Sequence, residues 1–165
     1  MSEISASAVM KLRQMSGQGM MDCKKALGEA NGNIEEAMQI LRKKGLATLA
    51  KRAGRETSQG RVISCMSSDG KRAVLASLCC ETDFVANSDD FRNAAKLLES
   101  YALACPDGGS TEALAATTLN GKKLTDVITE LVSRTGEKIE LGDYARFEVS
   151  ATSAVGTYVH FNSKV

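Results

Sequence analysis

The nucleophile and metal-ligand candidates in this sequence are five cysteines, Cys23, Cys65, Cys79, Cys80 and Cys105, and a single histidine, His160. Thiolate chemistry needs a base or a cationic neighbour, and a structural zinc site needs closely spaced pairs of ligands. Neither pattern is present, because Cys79 and Cys80 are adjacent, the others stand apart, and no C-x-x-C pair occurs. Cys80 with His160 can be written as a nucleophile and base, but no third group supports the pairing. The cysteines therefore read as reduced, mostly buried thiols. Phosphate chemistry fares no better. A P-loop needs Gly-x-x-x-x-Gly-Lys, and ahead of Gly121-Lys122 the required glycine position holds Ala116. Gly17-x-Gly19 lacks the third glycine of a dinucleotide fingerprint and follows a helical pattern, not a strand. The expectation is a chain with no catalytic residues, no cofactor and no metal: not an enzyme.

What remains is recognition. Of 165 residues, 43% are apolar and 25% charged, with 21 Lys plus Arg against 20 Asp plus Glu. This composition excludes a disordered tail, collagen and a coiled coil, and leaves room for one or two small domains. No apolar run is long enough for a membrane span, and Met1-Ser-Glu-Ile-Ser5 is not a signal sequence, so a cytoplasmic location with no membrane partner is expected. The near-neutral balance hides an asymmetry. Residues 1–55 carry ten Lys or Arg against five acids, and the remaining 110 carry eleven against fifteen. A basic first unit faces either nucleic acid or an acidic protein surface.

The elements that would position such a surface follow from periodicity. Ser5 caps a helix carrying Ala8, Val9, Leu12 and Met15, which Ser16-Gly-Gln-Gly19 breaks. Met20, Cys23, Ala26, Leu27 and Ala30 line one face of a second helix that stops at Asn31-Gly32. Asn33 opens a third through a capping box with Glu36, contributing about 1 kcal/mol, and Gly45 is expected to end it. The spans expected are a three-helix unit over 1–45, a basic helical linker over 46–59, and an α+β core over 60–150. Within that core Arg61–Ser67 and Arg72–Thr82 read as strands joined by the turn residues Ser68-Asp69-Gly70-Lys71. Phe91, Ala94, Ala95, Leu98 and Ala102 return to helical spacing, and Thr125 is placed to cap a further helix that Gly136 terminates. Ala145, Phe147 and Val149 alternate as the buried face of a strand, and Gly156–Phe161, within 151–165, reads as one more. The fold class expected is α+β, with helices packed on one face of a small antiparallel sheet.

Two short segments are distinctive. Met20-Met21-Asp22-Cys23-Lys24-Lys25-Ala26-Leu27 follows the Ser-Gly-Gln-Gly loop, and Cys80-Glu81-Thr82-Asp83-Phe84-Val85-Ala86 follows a strand. Together they resemble the elongation factor Ts family. The likeness extends through Ala30–Ala37, Leu41–Gly45, Lys51–Gly54, Gly136–Ile139 and Gly156–His160, in family order. It implies an N-terminal ubiquitin-associated-like three-helix domain. It further implies a guanine-nucleotide exchange factor that docks on the GTPase elongation factor Tu, GDP-bound or nucleotide-free, and speeds GDP release during translation elongation.

The resemblance also assigns roles. It implies that Asp83 and Phe84 project from a strand-helix corner, with Phe84 wedging between helices of the GTPase near its magnesium site. Thr82 and Val85 flank that wedge. By the same resemblance Met20 and Met21 lie against the GTP-binding domain, Lys24 is an interface charge, Gly136 permits close backbone approach, and His160 is a further contact. Read from the residues alone, Thr82 and Asp83 are helix caps, Phe84 is core, Met20 and Met21 are core or interface fillers with core favoured, and Lys24 is solvated surface. The family pattern also continues after its Tyr-x-His strand into a second core subdomain, whereas this sequence stops five residues past His160. A truncated chain and a short form that pairs with a second copy both fit. Three functions stay open: exchange on elongation factor Tu, a docking module that binds the GTPase without full exchange, and a basic nucleic-acid-binding module. The last is the least favoured, because no aromatic residue precedes Phe84 to stack on bases.

Overall fold

The computed structural model describes residues 4–106 and 109–158. The chain divides into two compact units, residues 1–54 with 129–137, and residues 55–128 with 138–165.

The first unit opens with α1 (Ala6–Ser16), α2 (Met20–Glu29) and α3 (Ile34–Lys51). Ser5 Oγ accepts from the Ala8 amide at 3.2 Å, as its place before the helix predicts. Gly17, at φ 69°, ends α1 in the left-handed region with its N–H on the Arg13 carbonyl. Asn33 Oδ1 accepts from both Glu35 and Glu36 amides, at 2.9 and 3.2 Å, capping α3. The unit's core is the stripe Val9, Leu12, Cys23, Ala26, Leu27, Ala30, Ala37 and Leu41.

Gly45 does not end the third helix. It is buried within α3, which runs on to Lys51. A Cβ at Gly45 would stand 2.7 Å from the Thr129 carbonyl oxygen and 2.9 Å from Ser133 Cβ, so the glycine serves close packing and not termination. The Ser133 hydroxyl donates to the Leu41 carbonyl at 3.3 Å, holding the same seam.

The second unit is built on a three-stranded antiparallel sheet of order β1-β2-β5, with β1 (Gln59–Met66), β2 (Arg72–Cys80) and β5 (Ile139–Glu148). Asp69 Oδ1 accepts from the Ser67 hydroxyl and the Lys71 amide, which fixes the β1–β2 turn where the turn residues place it. Val74, Ala76, Leu78 and Cys80 alternate onto one face and are buried. On that side α5 (Asp89–Ala104) crosses β1 and β2, and α6 (Thr111–Ala116) meets β5. A one-turn α4 (Asp83–Ala86) leads into α5. Asn120-Gly121, both at positive φ, turn the small hairpin of β3 (Thr118–Leu119) and β4 (Lys122–Lys123). Helix α7 (Leu124–Thr135) follows and already includes Thr125.

Two strand expectations need correction. In β5 the outward and inward residues are exchanged. Tyr144 pairs with Ala76 and Arg146 with Val74, so both lie on the buried side of the sheet. There Tyr144 Oη donates to the Ala102 carbonyl at 3.1 Å, and Arg146 reaches the Cys105 carbonyl and Glu148. Phe147, paired with Ala73, is half exposed on the opposite face. Polar tips that find backbone acceptors at the edge of the helical layer place Tyr and Arg stems inward, where alternation alone favours Ala and Phe. The last strand is likewise absent through Tyr158: residues 151–152 form a turn and 153–158 have no regular structure. Phe161 lies outside the described residues.

Candidate functional site

In the second unit the recognition candidates stand on the corner between β2 and α5. Thr82 has extended backbone, and its hydroxyl accepts from the Val85 amide at 3.3 Å, so the capping role read from its type is present. Behind it Cys80 is fully buried and its thiol donates to the Thr82 carbonyl at 3.2 Å, which makes it a support and not a nucleophile. Ala86 is the buried residue of α4, while Asp83 is exposed, Val85 half-buried and Phe84 84% exposed. Phe84 is the large apolar side chain that this corner leaves in water.

The corner is held on both flanks. Glu81, its side chain largely buried, accepts from the Lys138 amide at 2.6 Å and faces the Arg55 guanidinium at 3.8 Å. Lys138 Nζ in turn contacts the Arg55 carbonyl at 3.1 Å and Glu140 at 3.0 Å. On the far side Arg61 Nε donates to the Ala86 carbonyl at 3.0 Å. Neither Glu81 nor Arg61 was singled out from the sequence. For Arg61 the signal is a charged residue on the helix-facing side of β1, visible only once register is known, while Glu81 lies just past the end of β2.

In the first unit Met20 and Met21 are 41% and 66% exposed. The core reading of the two methionines is overturned, because Cys23, Ala26 and Leu27, with Ala30 at the C-cap, already fill the buried stripe of α2. Lys24 is also exposed, and next to it Asp22 pairs with Lys44. Gly136, at φ 73°, caps α7 with its N–H on the Val132 carbonyl, and no atom stands within 4 Å of where a Cβ would be. The structure thus brings Met20, Met21, Lys24 and Gly136 into the first unit and Thr82, Asp83, Phe84 and Val85 into the second. His160 lies outside the described residues.

Thiol chemistry finds no support elsewhere. Burial, with Glu99 nearby, pushes the Cys65 thiol up to about 11, and burial raises Cys79 as well, so both are protonated near neutrality. Among the described residues no cluster of His, Cys, Asp and Glu is arranged to hold a metal ion. No helix in them is long and apolar enough to cross a membrane.

The family model described as elongation factor TS matches residues 81–165, beginning at the corner that carries Phe84. The chain belongs to the elongation factor Ts family. It is 44% identical over its whole length to an elongation factor Ts of Desulfovibrio desulfuricans, of which it covers 56%. It is 42% identical to that of Clostridium acetobutylicum, with 98% of this chain and 53% of the relative aligned. The Aquifex aeolicus protein is 39% identical over 98% of the chain and 58% of its own length. The chain thus spans about half the length of these curated elongation factor Ts relatives.

Proposed function

We propose that this chain docks on the GTPase elongation factor Tu and accelerates loss of GDP, an exchange activity in which no covalent bond is made or broken. The observation that carries the reading is Phe84, 84% exposed at the tip of a capped and hydrogen-bonded turn. Burying such a ring in a partner yields about 2–3 kcal/mol of transfer free energy, which is unused in the isolated chain. Membership of the elongation factor Ts family supports the choice of partner, and the exposed Met20, Met21 and Lys24 supply a second contact surface.

The mechanism proposed is a wedge. Phe84 enters between helices of the GTPase near its magnesium ion and displaces groups that hold the metal and the diphosphate. Charge neutralisation of the diphosphate then weakens, and GDP leaves faster. A ten-thousand-fold acceleration requires about 5.5 kcal/mol off the dissociation barrier, within reach of one buried aromatic and several peripheral contacts. Equilibrium coupling is reciprocal, so the factor by which this chain lowers the GTPase's affinity for nucleotide is the factor by which nucleotide lowers its affinity for this chain, and GTP binding ejects it.

A second reading is favoured by one observation. The chain covers 56% of the Desulfovibrio relative, so it binds the GTPase as a docking module if residues beyond this span are needed to expel GDP. Stopped-flow release of fluorescent GDP, paired with a pull-down, separates the two. Complex formation with faster release supports exchange; complex formation without it supports docking alone; no complex contradicts both.

A further inference from the structure

We propose that Arg61 is a positioning residue, bracing α4 from strand β1 and thereby fixing the direction in which Phe84 is presented; its role in exchange rests on the function proposed above. Helix α4 has only four residues, Asp83–Ala86. One turn cannot hold itself, since nucleation costs more than a single intrahelical hydrogen bond returns; the Val85 carbonyl is met by the Ser88 hydroxyl and amide at 2.7 and 3.0 Å, whereas the Ala86 carbonyl is met from outside the turn. Something outside the turn must hold it in one conformation.

The start of the turn is secured by Thr82 and its floor by buried Ala86. Its end is secured by Arg61. The guanidinium Nε donates to the Ala86 carbonyl at 3.0 Å, and Nη2 reaches Asn87 Oδ1 at 3.4 Å. Asn87 passes the constraint back across the turn, because its Nδ2 donates to the Asp83 carbonyl at 2.8 Å and its backbone N–H reaches the same oxygen at 3.0 Å. The Asp83 carbonyl belongs to the peptide bond that enters Phe84. Two donors on Arg61 therefore fix both peptide groups that bracket the Phe84–Val85–Ala86 segment, a fork geometry that a lysine cannot reproduce in full. Register explains why the brace is available: Arg61 pairs with Leu78 on the helix-facing side of the sheet, beneath α4.

A side chain that only stabilised the fold would lower the amount of folded protein. A positioning residue instead lowers the maximal effect of the folded protein, and does so only through Phe84. The test uses the full chain with Arg61→Met, which keeps the stem and removes the donors, Arg61→Lys, Phe84→Ala and the double variant Arg61→Met/Phe84→Ala. In stopped-flow GDP release from elongation factor Tu, Arg61→Met should cut the maximal rate about tenfold while the half-maximal concentration moves less than about threefold, with Arg61→Lys in between. In the Phe84→Ala background Arg61→Met should have no further effect, whereas equal losses in both backgrounds would overturn the inference. Amide hydrogen exchange on the free chain gives a reading independent of the GTPase. Ala86, Asn87 and Ser88 amides should open at least about tenfold faster in Arg61→Met with β2 amides unchanged, and unaltered protection would overturn the brace. If the unsubstituted chain fails to accelerate GDP release, the proposed function falls, and the hydrogen-exchange result alone decides whether Arg61 holds the turn.

Discussion

Exposure of single side chains separates recognition from packing in this chain. Phe-Val-Ala after Thr82-Asp83 reads locally as a capped turn with a core aromatic, and the cap is there, but the buried member of the triplet is Ala86 and the ring points to water. Residue types alone favoured the wrong one because a four-residue helix has no periodicity from which to choose a face. Met20 and Met21 went the same way, since the i, i+3 spacing of Met20 to Cys23 fits both a core stripe and a surface flanking it. The resemblance to the family, and not their types, is what proposes these residues as contacts. For Lys24, exposed beside the Asp22–Lys44 pair, the prediction is a weak, screened contribution. Lys24→Ala should weaken binding to elongation factor Tu about two- to fivefold at low salt and hardly at all at high salt. Equal affinities at low salt, measured by titration calorimetry, would remove it from the interface.

Elements were read well where one period ran unbroken. Helices α1, α2 and α5 and strands β1 and β2 follow from apolar spacing and from Ser5, Asn33 and the Ser67–Lys71 turn. The errors fall where a tertiary partner outweighs the local signal. Gly45 reads as a stop, yet it is a helical residue against the Thr129 carbonyl, a contact 84 positions away in sequence. A close-packed helical glycine and a solvated one differ in sign under substitution. Alanine at a solvated helical glycine adds stability of about 1 kcal/mol, whereas Gly45→Ala must displace a backbone oxygen 2.7 Å from its Cβ. Gly45→Ala is expected to destabilise the protein by about 1–3 kcal/mol in urea melts, and a stabilised variant would contradict the close packing and make Gly45 a solvated helical residue. In β5 the inversion of faces came from Tyr144 and Arg146, whose polar ends reach Ala102 and Cys105 carbonyls that no one-dimensional pattern displays.

At the level of the molecule, ionisable groups tie the second unit together across long separations in sequence. Burial raises the Glu140 carboxyl, but hydrogen bonds from Thr57, at 2.5 Å, and Lys138 outweigh it and hold the group below its ordinary 4.5. A carboxylate depressed in the folded state adds stability above its unfolded pKa and loses it as pH falls through the lower folded value. Folding stability should therefore decline with acidification below about pH 4.5, and Glu140→Gln should flatten that part of the profile. An unchanged acid limb in the variant, followed by thermal melts from pH 3 to 7, would assign the decline to other groups. The charge asymmetry between residues 1–55 and the rest was plain in the sequence, whereas the inclusion of residues 129–137 in the first unit was not, because no local pattern marks a helix whose second half belongs to an earlier segment.

The central claim, that an exposed aromatic on a braced turn drives nucleotide release, is tested most directly by one comparison. Fluorescent GDP bound to elongation factor Tu is mixed by stopped flow with a saturating excess of this chain or of its Phe84→Ala variant. The prediction is rapid release with the chain, and release slowed about a hundredfold with Phe84→Ala at an unfolding free energy within about 0.5 kcal/mol of the original. Equal acceleration by both proteins, or loss of folding in the variant, would contradict it.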